Sequence, residues 1–192
     1  MSTGRTPQPP VILIAGPAGH GKTTACEILV KATHLRGASC SEIIFHFLAL
    51  RKGVPVAYLQ AQDKETLRPE LIHAGNWLCG DIGTLEAATG PDAPKDEDLL
   101  RVPSTLIRSL YMNGRNIIDG VRRKLELNHA IEAFHWCGVR TLTIWIFDPR
   151  KPLIKDNTED LAPLCDEQIE NSGTPEDLEK KLMEVLVKHF PQ

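Results

Sequence analysis

The eight residues Gly16-Pro17-Ala18-Gly19-His20-Gly21-Lys22-Thr23 match G-x-x-x-x-G-K-[ST] at every fixed position. Their types dictate one chemistry. Glycines let the backbone turn so that successive N–H groups, and the N-terminus of a following helix, face anionic oxygens. Lys22 adds a positive charge for β- and γ-phosphates, the Thr23 hydroxyl is a ligand for Mg²⁺, and Thr24 is placed to donate to an α-phosphate. Gly16, Ala18, Gly19, His20, Gly21, Lys22, Thr23 and Thr24 are therefore expected to hold ATP with Mg²⁺. His20 fills a free position of the motif, where a residue is tolerated rather than catalytic.

Further along, Asp119 follows the apolar pair Ile117-Ile118. It stands where a parallel sheet delivers acidic side chains to a nucleotide, as a Mg²⁺ ligand or as a group acting on the acceptor. The plainer alternative is a turn-forming Asp-Gly. Arg122 and Arg123 come next, either to stabilise charge on transferring phosphoryl oxygens or as solvated arginines opening a helix. Arg68, at a helix start, either reaches an acceptor phosphate or is a surface residue. Arg150 and Lys151, in a polar stretch, either close over ATP or belong to a solvated connection. Trp77 is the one tryptophan placed as a base-stacking surface; Trp136 and Trp145 read as core or wall aromatics. His46, His73, His129 and His135 lack the spacing for metal or acid–base work.

These residues need a scaffold that brings strand ends together. Val11–Ala15 is a continuous apolar run, the pattern of a parallel strand buried on both faces, and it leads into the Gly-rich turn and a helix from about Gly21 to Thr33. A brief strand or loop at Ser39–Ser41 precedes a helix over Glu42–Leu50. Asp63–Cys79 has helical periodicity, with Pro69 expected in its first turn. Gly80–Pro94 reads as loop and Asp96–Met112 as helix, interrupted or begun near Pro103. Asn116–Ile118 is a short buried strand ending in Asp119-Gly120, followed by a helix that stops at Gly138 and by a strong β run over Val139–Phe147. Residues 148–163 carry no periodicity and read as a possible lid. Gln168–Glu170 is a short strand, and Thr174 caps a last helix over Pro175–Phe190. The alternation implies an α/β fold, a three-layer arrangement around a central parallel sheet, with ligands at the carboxyl ends of its strands.

Bulk properties agree with one such domain over residues 11–192, behind a flexible segment 1–10. The chain has 192 residues, 42% of them hydrophobic and 24% charged, enough to bury a core without staples. A net charge of -3 does not advertise a polyanion partner. The five cysteines show no C-x-x-C pair and no zinc spacing, so reduced thiols of a cytoplasmic protein are expected. No signal peptide or bilayer-length apolar run is present, so no membrane partner is expected. A homodimer is neither indicated nor excluded.

Beyond the P-loop, three further stretches shape the functional expectation: Arg68-Pro69-Glu70-Leu71-Ile72-His73-Ala74-Gly75, Asp119-Gly120-Val121-Arg122 with Glu126, and Asp166 through Ile169, Asn171, Gly173 and Leu178. Together with the P-loop they resemble the phage deoxynucleoside monophosphate kinases of the P-loop kinase group. That resemblance implies ATP-dependent phosphoryl transfer to a deoxynucleotide. It also implies that Arg68 and Arg122 contact acceptor or transferring phosphates, and that Asn171 and Gly173 border the adenine of ATP. Related phage kinases that phosphorylate the hydroxyl of 5-hydroxymethyluracil in DNA are similar at the same motifs, so DNA is the alternative acceptor. A nucleotide-dependent switch with slow ATPase activity is a third expectation.

Overall fold

The computed structural model describes residues 8–78, 105–153 and 158–191. The expectations for residues 1–7, for Cys79, for the loop 80–94 and for the first part of the helix begun at Asp96 lie outside the described residues, as does the side chain of Trp77.

Five parallel strands form one sheet: β1 (Val11–Ala15), β2 (Gly37–Ser39), β3 (Ile117–Val121), β4 (Thr141–Phe147) and β5 (Glu167–Glu170), in the order β2-β3-β1-β4-β5. Every β1 residue is at most 1% exposed, because both faces of the sheet are covered. Period-2 alternation divides the strand between two cores. Ile12 and Ile14 pack with Ala25 and Leu29 of α1 (Lys22–Thr33) and Leu178 and Leu182 of α7 (Pro175–His189). Leu13 and Ala15 pack on the other face with Ile107 of α5 (Thr105–Met112) and Leu127 and Phe134 of α6 (Lys124–Trp136). The α/β expectation holds in its three-layer form.

A satellite core of Leu48, Ala49, Leu59 and Leu67 joins α2 (Cys40–Lys52), α3 (Val56–Gln60) and α4 (Lys64–Leu78). The five-residue α3 escaped the sequence reading because it is too short to show a period. Helix α2 begins at Cys40, earlier than expected, because Ser39 and Glu42 form a reciprocal capping box there. Pro69 is a correction. Asp63 receives the N–H and hydroxyl of Thr66 at 3.0 and 2.8 Å, which starts the helix at Lys64 and places Pro69 in the second turn, where it has no N–H to donate. At the other end of the chain, Thr174 and Asp177 cap α7 reciprocally, as the sequence suggests.

Asp119-Gly120 does not end its strand. Strand β3 continues to Val121, and the register steps from Ile14↔Asp119 to Ala15↔Val121, so Gly120, at φ 87°, is an extra residue in the ladder. This bulge replaces the expected turn and redirects the chain beside the strand ends. Among the described residues, no helix is long and apolar enough to cross a membrane.

Candidate active site

Strand β1 is flanked by β3 on one side and β4 on the other, so its carboxyl end opens at the point where successive connections diverge, the usual ligand crevice of such sheets. The P-loop starts there. Gly16, at φ 142°, passes so close to β4 that a Cβ would stand 2.1 Å from the carbonyl oxygen of Ile146. Gly21 is the N-cap of α1 at φ 102°, and no side chain caps the helix or places an acid in its first turn. The first N–H groups of α1 are thus left for an anion. The Lys22 ammonium donates to the carbonyls of Gly16 and Pro17 at 2.8 and 2.7 Å, folded back over the loop it belongs to.

A cavity of about 620 Å³ extends from this loop, a size typical of small-molecule sites. Ala18, Gly19, Gly21, Lys22, Thr23 and Thr24 form one end of it. Arg68, Asp119, Arg122, Arg123 and Glu126 supply charge further along, while Ile44, Leu71 and Ile72 make an apolar wall. Gly75 lets α4 approach α2 at this wall, since a Cβ there would meet Ile44 at 3.1 Å.

Asp119 is 3% exposed and has no hydrogen-bond or ion-pair partner among the described residues. Its position is fixed by the β3 ladder, opposite Ile14 of β1 and Ser39 of β2. Burial first, and then the Asp119 charge, push the thiol of Cys26, one helical turn beyond Thr23, up to about 12. A buried carboxylate lacking a partner, in the same cavity as Thr23, fits a Mg²⁺ held mostly by phosphates with few protein ligands. Glu126, also 3% exposed, accepts the Arg122 N–H at 3.2 Å. Burial pushes its carboxyl up to about 7, against the opposing pull of backbone hydrogen bonds and of Arg122 and Arg123.

Arg68 is held by Glu65 through two bonds, Nε at 2.7 Å and a terminal nitrogen at 2.5 Å, so the expected acceptor-side arginine is paired within its own helix. Arg150 and Lys151 part company. Arg150 grips Asp148 through two N–H···O bonds of 2.9 Å, which hold that carboxyl down at about 2, whereas Lys151 reaches across to the carbonyl of Gly19 at 2.6 Å. Asn171 approaches the P-loop, its side-chain amide donating to the His20 carbonyl at 3.0 Å. Gly173 instead lies over Asp177, 2.5 Å from a would-be Cβ, as part of the α7 start. Arg150, Asn171 and Gly173 stand outside the described lining of the cavity.

Sequence reasoning missed Asp148, although it follows the strongest apolar run just as Asp119 follows Ile117-Ile118 in sequence; the same strand-end rule would have flagged it. It also missed the hydroxyls of Ser39 and Ser41 in the cavity wall, for which no motif exists. The possible lid is tied down at its far end. Leu161 is fully buried and the Glu159 N–H donates to the Arg122 carbonyl at 2.8 Å, while residues 154–157 lie outside the described ones.

The sheet order, the P-loop and the cavity define a P-loop kinase fold. The chain is similar to solved structures. A shikimate kinase from Acinetobacter baumannii in complex with shikimate superposes with a TM-score of 0.51 at 15% identity, over 96% of this chain and 97% of that one. An APS kinase of Mycobacterium tuberculosis with AMPPNP and APS gives 0.48 at 9% identity, over 94% and 99%. A gluconokinase from Sinorhizobium meliloti gives 0.47 at 7% identity, over 95% and 94%. No protein-family model matches the chain, and no curated protein matches its sequence significantly.

Proposed function

We propose that this chain transfers the γ-phosphoryl group of ATP to a deoxynucleoside monophosphate. The observation that carries the reading is the single cavity in which Lys22 and Thr23 share space with Arg68, Arg122 and Arg123 across an apolar wall. Phosphoryl transfer needs positioning and charge stabilisation more than covalent help, and a phosphorylated acceptor calls for guanidinium groups beyond the donor site.

In this mechanism the P-loop N–H groups and the α1 N-terminus receive the donor phosphates. Lys22 exchanges the carbonyls of Gly16 and Pro17 for phosphate oxygens. Thr23 and Asp119 would hold Mg²⁺, which would supply neutralisation of phosphate charge. Arg122 faces the transferring group, Arg68 exchanges Glu65 for the acceptor phosphate, and Ile44, Leu71 and Ile72 pack the acceptor base and exclude water.

Asp119 supports a second reading. A carboxylate without a partner among the described residues suits accepting a proton from a hydroxyl, so the hydroxyl of 5-hydroxymethyluracil in DNA is the alternative acceptor.

The test is ATP consumption with mass-spectrometric identification of products, using free deoxynucleoside monophosphates and duplex DNA carrying thymine or 5-hydroxymethyluracil. A deoxynucleoside diphosphate product is expected. Phosphate on the modified base alone transfers the function to DNA, and acceptor-independent hydrolysis as the sole activity removes both kinase readings in favour of a switch.

A further inference from the structure

A closed circuit of hydrogen bonds runs through His20. Its ring Nδ1 accepts the backbone N–H of Asp148 at 2.9 Å, so the ring proton sits on Nε2. The Asp148 carbonyl accepts the N–H of Lys151 at 3.1 Å, and the Lys151 ammonium returns to the carbonyl of Gly19, the residue before His20. Arg150 clamps the same turn through the Asp148 carboxylate, and Asn171 ties the His20 carbonyl to the end of β5.

His20 does not serve stability well. The residue is 2% exposed and Nε2 is buried without a hydrogen-bond partner among the described residues, so a donor has been stripped of water with no return there. A smaller residue at this free position of the motif would avoid that penalty. What the ring achieves is a fixed distance between the P-loop and the Asp148–Lys151 turn.

We propose that His20 is a positioning residue for nucleotide binding, holding the Asp148–Lys151 turn against the P-loop so that Lys151 passes its ammonium from the Gly19 carbonyl to a nucleotide phosphate. The proposal rests on the ATP-binding reading. It also assigns separate tasks to two adjacent cations, with Arg150 bracing the turn and Lys151 meeting the ligand.

The experiment is calorimetric titration of the full chain with Mg-ATP, with thermal melting of each variant alongside. Lys151→Ala is expected to weaken ATP binding about tenfold, the scale of one charge-assisted bond. His20→Ala should weaken it by a similar factor, and the double variant should be no weaker than the worse single one. His20→Asn, whose side-chain oxygen can take over the Nδ1 acceptor position, should return to within about threefold of the wild type. Should His20→Ala fail to fold, His20→Gln replaces it, filling the space while leaving the Asp148 N–H without its acceptor. Unchanged ATP affinity in the His20 variants, or losses that multiply with Lys151→Ala, would overturn the proposal, because a merely structural histidine lowers the melting point without sharing the lysine's contribution. A wild-type chain that binds no ATP removes the underlying reading and this inference together.

Discussion

Gly16 and Ile146 are in contact through backbone alone: a Cβ on Gly16 would lie 2.1 Å from the Ile146 carbonyl oxygen, with Gly16 at φ 142°. Because all five residues of β1 pair with Thr141–Trp145 of β4, up to the residue before each of the two, neither can retreat without straining the ladder. Gly16→Ala is therefore expected to cost on the order of 3 kcal/mol or more, seen in urea denaturation. Gly19, at φ 79° with nothing within 4 Å of its would-be Cβ, is the control. There the same substitution should cost only the left-handed penalty of about 1–2 kcal/mol.

Lys22 occupies the carbonyls of Gly16 and Pro17 in the resting loop. Lys22→Ala should keep its fold and lose at least about 100-fold in phosphoryl-transfer rate, the scale of deleting a transition-state charge contact. Initial rates with saturating acceptor, beside a melting curve, check this; a variant retaining most of its rate would remove Lys22 from the mechanism.

In the proposed mechanism the Glu65–Arg68 pair competes with an anionic acceptor. Arg68→Ala should raise the acceptor KM about tenfold while leaving that for ATP alone. Glu65→Gln, which keeps the shape and removes the competing charge, should lower the acceptor KM a few-fold. A rise in both variants would mean that the pair merely builds α4.

Glu126 makes stability depend on pH with a defined sign. Burial raises its carboxyl from 4.5 to about 7 in the fold. Between those values the unfolded chain ionises while the native chain keeps its proton, so the native state binds more protons and stability falls as pH rises. The fall should start near pH 4.5, level off above pH 7, and total up to roughly 3 kcal/mol. Glu126→Gln still accepts the Arg122 N–H but cannot ionise, and denaturation midpoints across this range should lose that downward component.

What could be read from the sequence was local in the chain. The P-loop residues are consecutive, and their identities alone define a phosphate cradle between an apolar strand and a helix. Thr174, three residues before Asp177, similarly announces the start of α7. The possible lid and the Asp119-Gly120 turn were less legible, because polar segments carry no period and Asp-Gly suits both a turn and a bulge.

The sequence by itself determined the parallel α/β architecture, the P-loop, and the candidate cations and carboxylates, because apolar periodicity and short motifs act over neighbouring residues. The tertiary structure decided which of those groups meet. It set Lys151 rather than Arg150 on the P-loop, brought Asp148 to His20 across 128 residues of chain and Asn171 across 151, and drew Arg68 and Arg122 into one cavity with Lys22. Such pairings follow from strand order, register and the bulge at Gly120, which arise only when segments distant in sequence pack into one sheet.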